Sequence, residues 1–151
     1  MSRLRPEQIV GGWRLVRWEV VYDGERRTLP FGADAVGLLT YTADGHMSAC
    51  IMAGGRAPFP TPNPRDAAAE ERARAYDGYF SYAGRWRLSG RRVLHDVEIA
   101  LNPAMVGSTQ VRDARRSGRR IELSALEAVR GGTRFHRLLW ERPRATRARR
   151  G

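Results

Sequence analysis

The stretch VGLLTYTADGHMSACIM, residues 36–52, decides the fold, because two apolar runs in it flank a tight turn. Residues 36–42 and 46–52 are rich in the side chains that favour extended strands. Asp44 and Gly45 lie between the runs, and glycine adopts the positive φ angle of a hairpin turn at little cost. The stretch therefore predicts two antiparallel strands joined by a short turn.

Similar runs recur along the chain, separated by turn signals. They cover residues 13–22, 36–42, 46–52, 79–88, 92–101, 108–116, 119–126 and 133–142. Prolines and glycines make residues 53–65 a loop, and Asp66 precedes an alanine-rich segment that predicts one helix over 67–77. Eight strands are enough to close a sheet, which removes exposed strand edges. We therefore expect an all-β fold, a closed antiparallel up-and-down β-barrel of about eight strands, with the helix in the loop between strands three and four.

Length and composition narrow the class of protein. A chain of 151 residues, 42% of them apolar, is long enough to form one domain with its own core. No run approaches the ~18 apolar residues of a membrane span, and no apolar segment follows the N-terminal arginines as in a signal peptide. The single cysteine, Cys50, forms no internal disulfide. These features predict a cytoplasmic protein with no membrane partner.

The formal net charge of +11 raises the question of nucleic-acid binding. All 27 basic residues are arginine, and five of them fall in the last ten residues, which contain no acid. We interpret residues 1–142 as the barrel domain and residues 143–151 as a disordered, arginine-rich tail. Clustered arginines attract polyanions, but no helix-turn-helix, zinc-finger or RNP pattern accompanies them, so a nucleic-acid partner is not expected.

Alternation along a strand assigns side chains to the inner or outer face of the barrel. The apolar face of residues 92–101 carries Val93, His95, Val97, Ile99 and Leu101. His95 is therefore expected to point inward. Histidine titrates near neutral pH, which makes His95 a candidate for proton transfer, the alternative being a core histidine satisfied by one hydrogen bond.

Tyr82 and Trp86 share the expected inner face of residues 79–88, and Gly84 leaves space between them. Tyr82 is the second catalytic candidate, because a tyrosine hydroxyl can polarise a carbonyl by donating a hydrogen bond. Both side chains can equally be part of the core, and in a small barrel the core is the pocket wall. Residues 13–22 have apolar side chains on both faces, which indicates either a bulge or a strand buried on both sides.

The remaining polar and apolar candidates are assigned to ligand binding. The full set of candidate ligand-binding residues is Trp86, Tyr41, His46, Ser48, Met52, Val97, Gln110 and Arg112. His46, Ser48 and Met52 share one face with Cys50, and that face is either a semi-polar pocket wall or the outside. His46 directly follows the turn, so we expect it at the barrel rim. Arg112 either meets an anionic group inside the barrel or faces solvent.

Patterns for metal or cofactor chemistry are missing from the sequence. His46, His95 and His136 lie on three separate predicted strands with no ligand spacing among them, so no metal site is expected. No P-loop, dinucleotide-binding glycine motif or nucleophile elbow occurs. We therefore expect no cofactor.

Several motifs together carry a family resemblance. They are GGWRLVRWEV, YTADGHMS, YAGRWRL, VLHDVEIALNPAMVGSTQVR and RLLWER. From Gly11 to about Arg142 the chain resembles the lipocalin-like domain family of bacteria and fungi. The resemblance implies a ligand-binding barrel in which Trp13, of the Gly-x-Trp pattern, closes one end under an arginine, either Arg142 or Arg137. It also implies a role in secondary metabolism.

Two functions follow from these expectations. The first is binding of a small, largely hydrophobic molecule inside the barrel. The alternative is a cyclase or isomerase without metal or redox cofactor, acting on a polyketide-like substrate with His95 and Tyr82 as catalytic residues. The sequence leaves open whether the protein is an enzyme and whether it forms a homodimer.

Overall fold

A computed structural model describes residues 3–144 and residue 151. The strands are β1 (Gly11–Tyr22), β2 (Arg26–Thr28), β3 (Val36–Tyr41), β4 (His46–Met52), β5 (Tyr79–Ser89), β6 (Arg92–Ala100), β7 (Thr109–Ser117), β8 (Arg120–Val129) and β9 (Gly132–Glu141). The helix α1 spans Ala69–Asp77, and short 3-10 turns occur at Pro6–Gln8, Pro64–Asp66 and Pro103–Met105. Residues 145–150 of the predicted tail lie outside the described residues.

Eight strands close into the predicted antiparallel barrel. Strands β3 to β9 pair in chain order, and β1 pairs with β3 on one side and with β9 on the other. The short strand β2 was not predicted, because its residues Arg26–Thr28 are polar and fall in an expected loop; it pairs with the end of β1. Its presence moves α1 to the connection between the fourth and fifth strands. The described chain contains no helix long and apolar enough to cross a membrane.

The hairpin of residues 36–52 is confirmed. Tyr41 pairs with Met47, and the register continues to Val36 opposite Met52. Gly45 has a φ of +95° in the turn between the strands. In this register Tyr41, the last residue of β3, lies between Gly11 of β1 and Met47 of β4.

A bulge resolves the conflicting faces of β1. The register with β9 shifts between Leu15 and Arg17, so Val16 is an extra residue without a partner. Trp13 lies buried before the bulge and Val20 after it, although they are seven residues apart. Of the two explanations that the sequence left open, the bulge is therefore the observed one.

A second irregularity lies between β5 and β6, where Ala83 pairs with Ile99 but Gly84 pairs with Val97. Glu98 is the extra residue, and it reverses the alternation beyond it. Ile99 is consequently 69% exposed, which corrects the expectation that it shares the inner face with His95. Gly84 is needed here, because a Cβ at this position would lie 2.0 Å from the Asp96 carbonyl oxygen.

Trp13 closes one end of the barrel, as the family resemblance implied. Its indole nitrogen donates to the Ile9 carbonyl at 2.9 Å, and the Arg142 guanidinium lies 4.2 Å from the ring centre. Arg142 also donates to the carbonyls of Val10 and Gln8. The other candidate, Arg137, instead forms an ion pair with Glu122.

Candidate functional site

A cavity of about 690 Å³ occupies the barrel between its middle and the end at which β1 finishes. Its apolar lining includes Trp18, Val20, Leu39, Ile51, Phe80, Leu123, Leu138 and Trp140. Its polar lining includes Tyr82, His95, Gln110, Arg112, Glu127, Arg134 and His136. Small-molecule sites are typically cavities of roughly 300–1,000 Å³ with apolar walls and a few convergent polar groups. The cavity has both properties.

Tyr41, His95 and Tyr82 form a hydrogen-bonded triad at the wall of this cavity. The Tyr41 hydroxyl lies 2.7 Å from Nε2 of His95, and the Tyr82 hydroxyl lies 2.6 Å from Nδ1. His95 is 1% exposed, so both ring nitrogens need protein partners, and both have one. The triad joins β3, β5 and β6 across the interior, and we refer to it as the Tyr–His–Tyr triad.

His95 is neutral in this setting. Burial lowers the pKa of His95 to about 3, and the positive charge of Arg112 acts in the same direction. A neutral imidazole has one N–H donor and one acceptor nitrogen, so one tyrosine donates to His95 and the other accepts from it. A base with so low a pKa accepts protons poorly near neutral pH. The geometry therefore favours His95 as a group that positions the tyrosines.

Both tyrosines are held in their neutral form. Burial raises the pKa of Tyr41 well above its usual value, and the neighbouring Tyr82 adds to this rise. Burial also raises the pKa of Tyr82, while Arg112 partly offsets the increase through its charge and a hydrogen bond. Of the two triad tyrosines, Tyr82 is the one that lines the cavity. It can therefore present a hydrogen bond to a molecule inside.

Arg112 projects from β7 into the same part of the cavity. Its Nη1 donates to the Val111 carbonyl at 3.0 Å, and its Nη2 donates to Oε1 of Gln110 at 3.3 Å. Its charge also influences the pKa values of Tyr41 and His136, which lie on other strands. Of the two placements that the sequence left open for Arg112, the structure has the inward one.

A second polar chain, which the sequence analysis missed, lies at the open part of the cavity. Glu127 is 3.1 Å from Nε2 of His136, and the Trp18 indole donates to Nδ1 of His136 at 3.3 Å. Arg134 forms an ion pair with the same Glu127 at 2.8 Å. Burial raises the pKa of Glu127, but hydrogen bonds from His136 and Arg134 lower it overall. The signal available in the sequence was that His136 shares one face of its strand with Leu138 and Trp140.

The predicted site residues fall into three groups. Tyr82, His95, Gln110 and Arg112 line the cavity together. Tyr41, Trp86 and Val97 point inward but lie in the packed core next to the cavity, where Trp86 donates to the Thr42 carbonyl and contacts the Tyr41 ring edge-on. Tyr41 does not line the cavity, and its hydrogen bond to His95 connects it to the site.

The third group faces outward. His46, Ser48 and Met52 are exposed on the outer face of β4, whereas Met47, Ala49 and Ile51 are buried inside. Of the two placements that the sequence left open for this face, the outside is therefore the observed one, and the assignment of His46, Ser48 and Met52 to ligand binding inside the barrel is wrong. The physical reason is that the face carrying Met47, Ala49 and Ile51 is the more apolar one, so burying it contributes more free energy to folding.

Metal binding has no support among the described residues, where no group of three or more His, Cys, Asp or Glu side chains is arranged to hold an ion. The two cavity histidines have their ring nitrogens engaged by tyrosine, tryptophan and glutamate partners.

The fold and the site together define a closed β-barrel with an internal binding cavity. A family model described as a lipocalin-like domain matches residues 10–143, and the chain belongs to this lipocalin-like family. No curated protein matches the sequence. Among solved structures, an uncharacterized protein from Bacteroides eggerthii is similar at 12% identity and a TM-score of 0.43, with 88% of this chain and 98% of that chain covered.

Proposed function

We propose that this protein binds a small, largely hydrophobic molecule inside the barrel, in the context of secondary metabolism that the family resemblance implied. The observation that carries the proposal is the cavity of about 690 Å³, whose walls are mainly aromatic and aliphatic side chains. Burying the apolar surface of a ligand against such walls contributes about 25 cal/mol per Å² before the cost of association. Specificity then comes from the few polar groups that line the cavity.

A cyclase or isomerase remains the second candidate, and one observation favours it. Tyr82 lines the cavity, and its hydroxyl is held by a hydrogen bond to the neutral His95. A fixed donor of this kind stabilises charge that develops on a carbonyl oxygen, and a shaped cavity holds a flexible substrate in a reactive conformation. In that case Tyr82 is the catalytic residue and His95 positions it.

A cavity-blocking variant tests the binding function. Ala125 lines the cavity from β8, so Ala125→Trp fills part of the space, whereas Ala128 is exposed on the same strand and Ala128→Trp is the matched control. N-phenyl-1-naphthylamine, a neutral fluorescent probe, is titrated into each protein. We expect saturable binding to the wild type and to Ala128→Trp, and at least tenfold weaker binding to Ala125→Trp. Equal affinity in all three proteins contradicts binding inside the barrel.

A further inference from the structure

We propose that Arg112 and Tyr82 form a head-group subsite that takes the carboxylate of a hydrophobic ligand. The inference rests on the proposed function, since it requires that the cavity holds a ligand at all. It goes beyond that function by naming the chemical class, a hydrophobic monocarboxylate, and the two residues that select it.

The first support is the charge of Arg112. No carboxylate of residues 3–144 lies within 4.0 Å of its guanidinium, and its hydrogen bonds go to the neutral acceptors Val111 and Gln110. The other arginine lining the cavity, Arg134, is paired with Glu127 at 2.8 Å. A partly buried cation without a counterion is costly, and a ligand anion that pairs with it recovers this cost. The cavity thus contains one positive charge that the described protein leaves unpaired.

The second support is the direction of the hydrogen bonds in the Tyr–His–Tyr triad. Tyr41 is completely buried, and His95 Nε2 is the hydrogen-bond partner that residues 3–144 provide for its hydroxyl. If Nε2 carried the proton, the Tyr41 hydroxyl would have to accept it, and its own proton would lack an acceptor in the core. Such a buried unsatisfied donor is strongly disfavoured. Tyr41 therefore donates to Nε2, and the His95 proton is on Nδ1.

The position of the His95 proton determines whether the Tyr82 hydroxyl can donate a hydrogen bond to a ligand. With the proton on Nδ1, His95 donates to the Tyr82 oxygen, so the Tyr82 hydroxyl proton is not used by the triad. The positive charge of Arg112 acts on the same hydroxyl and lowers its pKa. The Tyr82 O–H is consequently free to donate into the cavity, next to the guanidinium. Tyr41 and His95 act here as positioning residues that keep Tyr82 a donor.

The donors at the subsite match a carboxylate. A planar guanidinium and one phenol O–H together supply donors for the two oxygens of one carboxylate and balance its single charge. A neutral alcohol or ester would leave the Arg112 charge unpaired. A phosphate dianion would bring a second negative charge, and among residues 3–144 the other arginine lining the cavity, Arg134, is already paired with Glu127. The apolar walls described above receive the rest of the ligand.

The test compares two ligands that differ only in the head group, decanoate and 1-decanol, as competitors of N-phenyl-1-naphthylamine at pH 7.5. In the wild type we expect decanoate to compete at least tenfold better than 1-decanol, the usual effect of a hydrogen bond to a charged group. Arg112→Gln should remove this preference, while saturable binding of the neutral probe shows that the variant still folds with an open cavity. Arg115 is exposed on the outer face of β7, and Arg115→Gln makes the same change in net charge and should keep the preference.

A second variant covers the case in which Arg112→Gln does not fold. Tyr82→Phe should lower the preference for decanoate several-fold, with the fold checked by circular dichroism. If the neutral probe binds but decanoate has no advantage, or keeps its advantage in both variants, the head-group subsite is wrong while cavity binding stands. If the neutral probe itself does not bind the wild type, the proposed function fails first.

Discussion

The Tyr82 hydroxyl and Nδ1 of His95 are 2.6 Å apart, although in the register of β5 and β6 the partner of His95 is Trp86. The contact runs diagonally inside the barrel, past Gly84 and the bulge at Glu98. Together with the bond from Tyr41, this contact places His95 at the centre of a hydrogen-bonded group of three residues in an otherwise apolar wall.

The neutral state of His95 makes stability dependent on pH. Its pKa is about 3 when folded and near 6.5 when unfolded, so between these values the unfolded chain binds more protons and stability falls as the pH falls. The slope from one such histidine is at most about 1.4 kcal/mol per pH unit. We expect urea unfolding between pH 6.5 and 5.0 to show a slope of this order.

His95→Gln should remove most of that slope. His136 is the control, because burial lowers its pKa too and it contributes in the same direction. His136→Gln should therefore retain the larger part of the slope. An unchanged slope in His95→Gln would mean that His95 is charged in the folded barrel, which contradicts the triad as described.

The two tyrosines of the triad should differ in their contribution to stability. Tyr41→Phe leaves Nε2 of His95 without a donor in the core, which costs about 1–3 kcal/mol. Tyr82→Phe should cost less, because Tyr82 lines the cavity and water can take the place of its hydroxyl. Free energies of unfolding from urea titrations compare the two variants. A larger loss of stability for Tyr82→Phe than for Tyr41→Phe would mean that Tyr82, and not Tyr41, is the enclosed tyrosine.

The contact at Gly84 should make this residue sensitive to a single methyl group. A Cβ would meet the Asp96 carbonyl oxygen at 2.0 Å, so the strands must separate. Gly84→Ala should destabilise the protein by about 1–3 kcal/mol, the usual range for overpacking. At Gly12 no atom lies within 4 Å of an added Cβ, and Gly12→Ala should stay within about 0.5 kcal/mol of the wild type. Similar melting temperatures for both variants would argue against the close approach of β5 and β6.

Arg142 should contribute more to stability than Arg137. Arg142 lies over the Trp13 ring and donates to two backbone carbonyls, so Arg142→Met should cost about 2 kcal/mol. Arg137 forms a half-exposed ion pair with Glu122, and Arg137→Met should cost about 1 kcal/mol or less. Thermal unfolding of both variants measures the difference. Equal effects would show that the closed end of the barrel does not depend on Arg142.

Much of the barrel could be predicted from the sequence, because each strand is short and bounded by turn residues. The hairpin of residues 36–52 and the inward direction of His95 follow from local patterns alone. The bulges at Val16 and Glu98 could not be predicted in this way, because an extra residue is recognised only from the register with the paired strand. For that reason the inner residues of β1 and the exposure of Ile99 required the structure.

The site was less predictable than the fold. Tyr41, Tyr82 and His95 were each candidates, but their joining depends on β3, β5 and β6 meeting across the interior. Alternation placed His46 and Ser48 on one face of β4 but left open whether that face was the pocket wall or the outside, and the more apolar face was buried instead. The unpaired charge of Arg112 depends on which acids surround it in space, which sequence spacing does not contain.

The most direct test of cavity binding is a methyl NMR titration of the isotope-labelled protein with 1-decanol. The account predicts shifts at interior methyl groups of Leu39 and Leu123 as the ligand saturates at one molecule per chain. Leu38, which neighbours Leu39 and is 52% exposed, and Ile99, which is 69% exposed, do not line the cavity; they serve as outer controls and should not move. Shifts confined to the outer methyl groups, or no saturable shift at the interior ones, would contradict the conclusion that the barrel interior is a binding site.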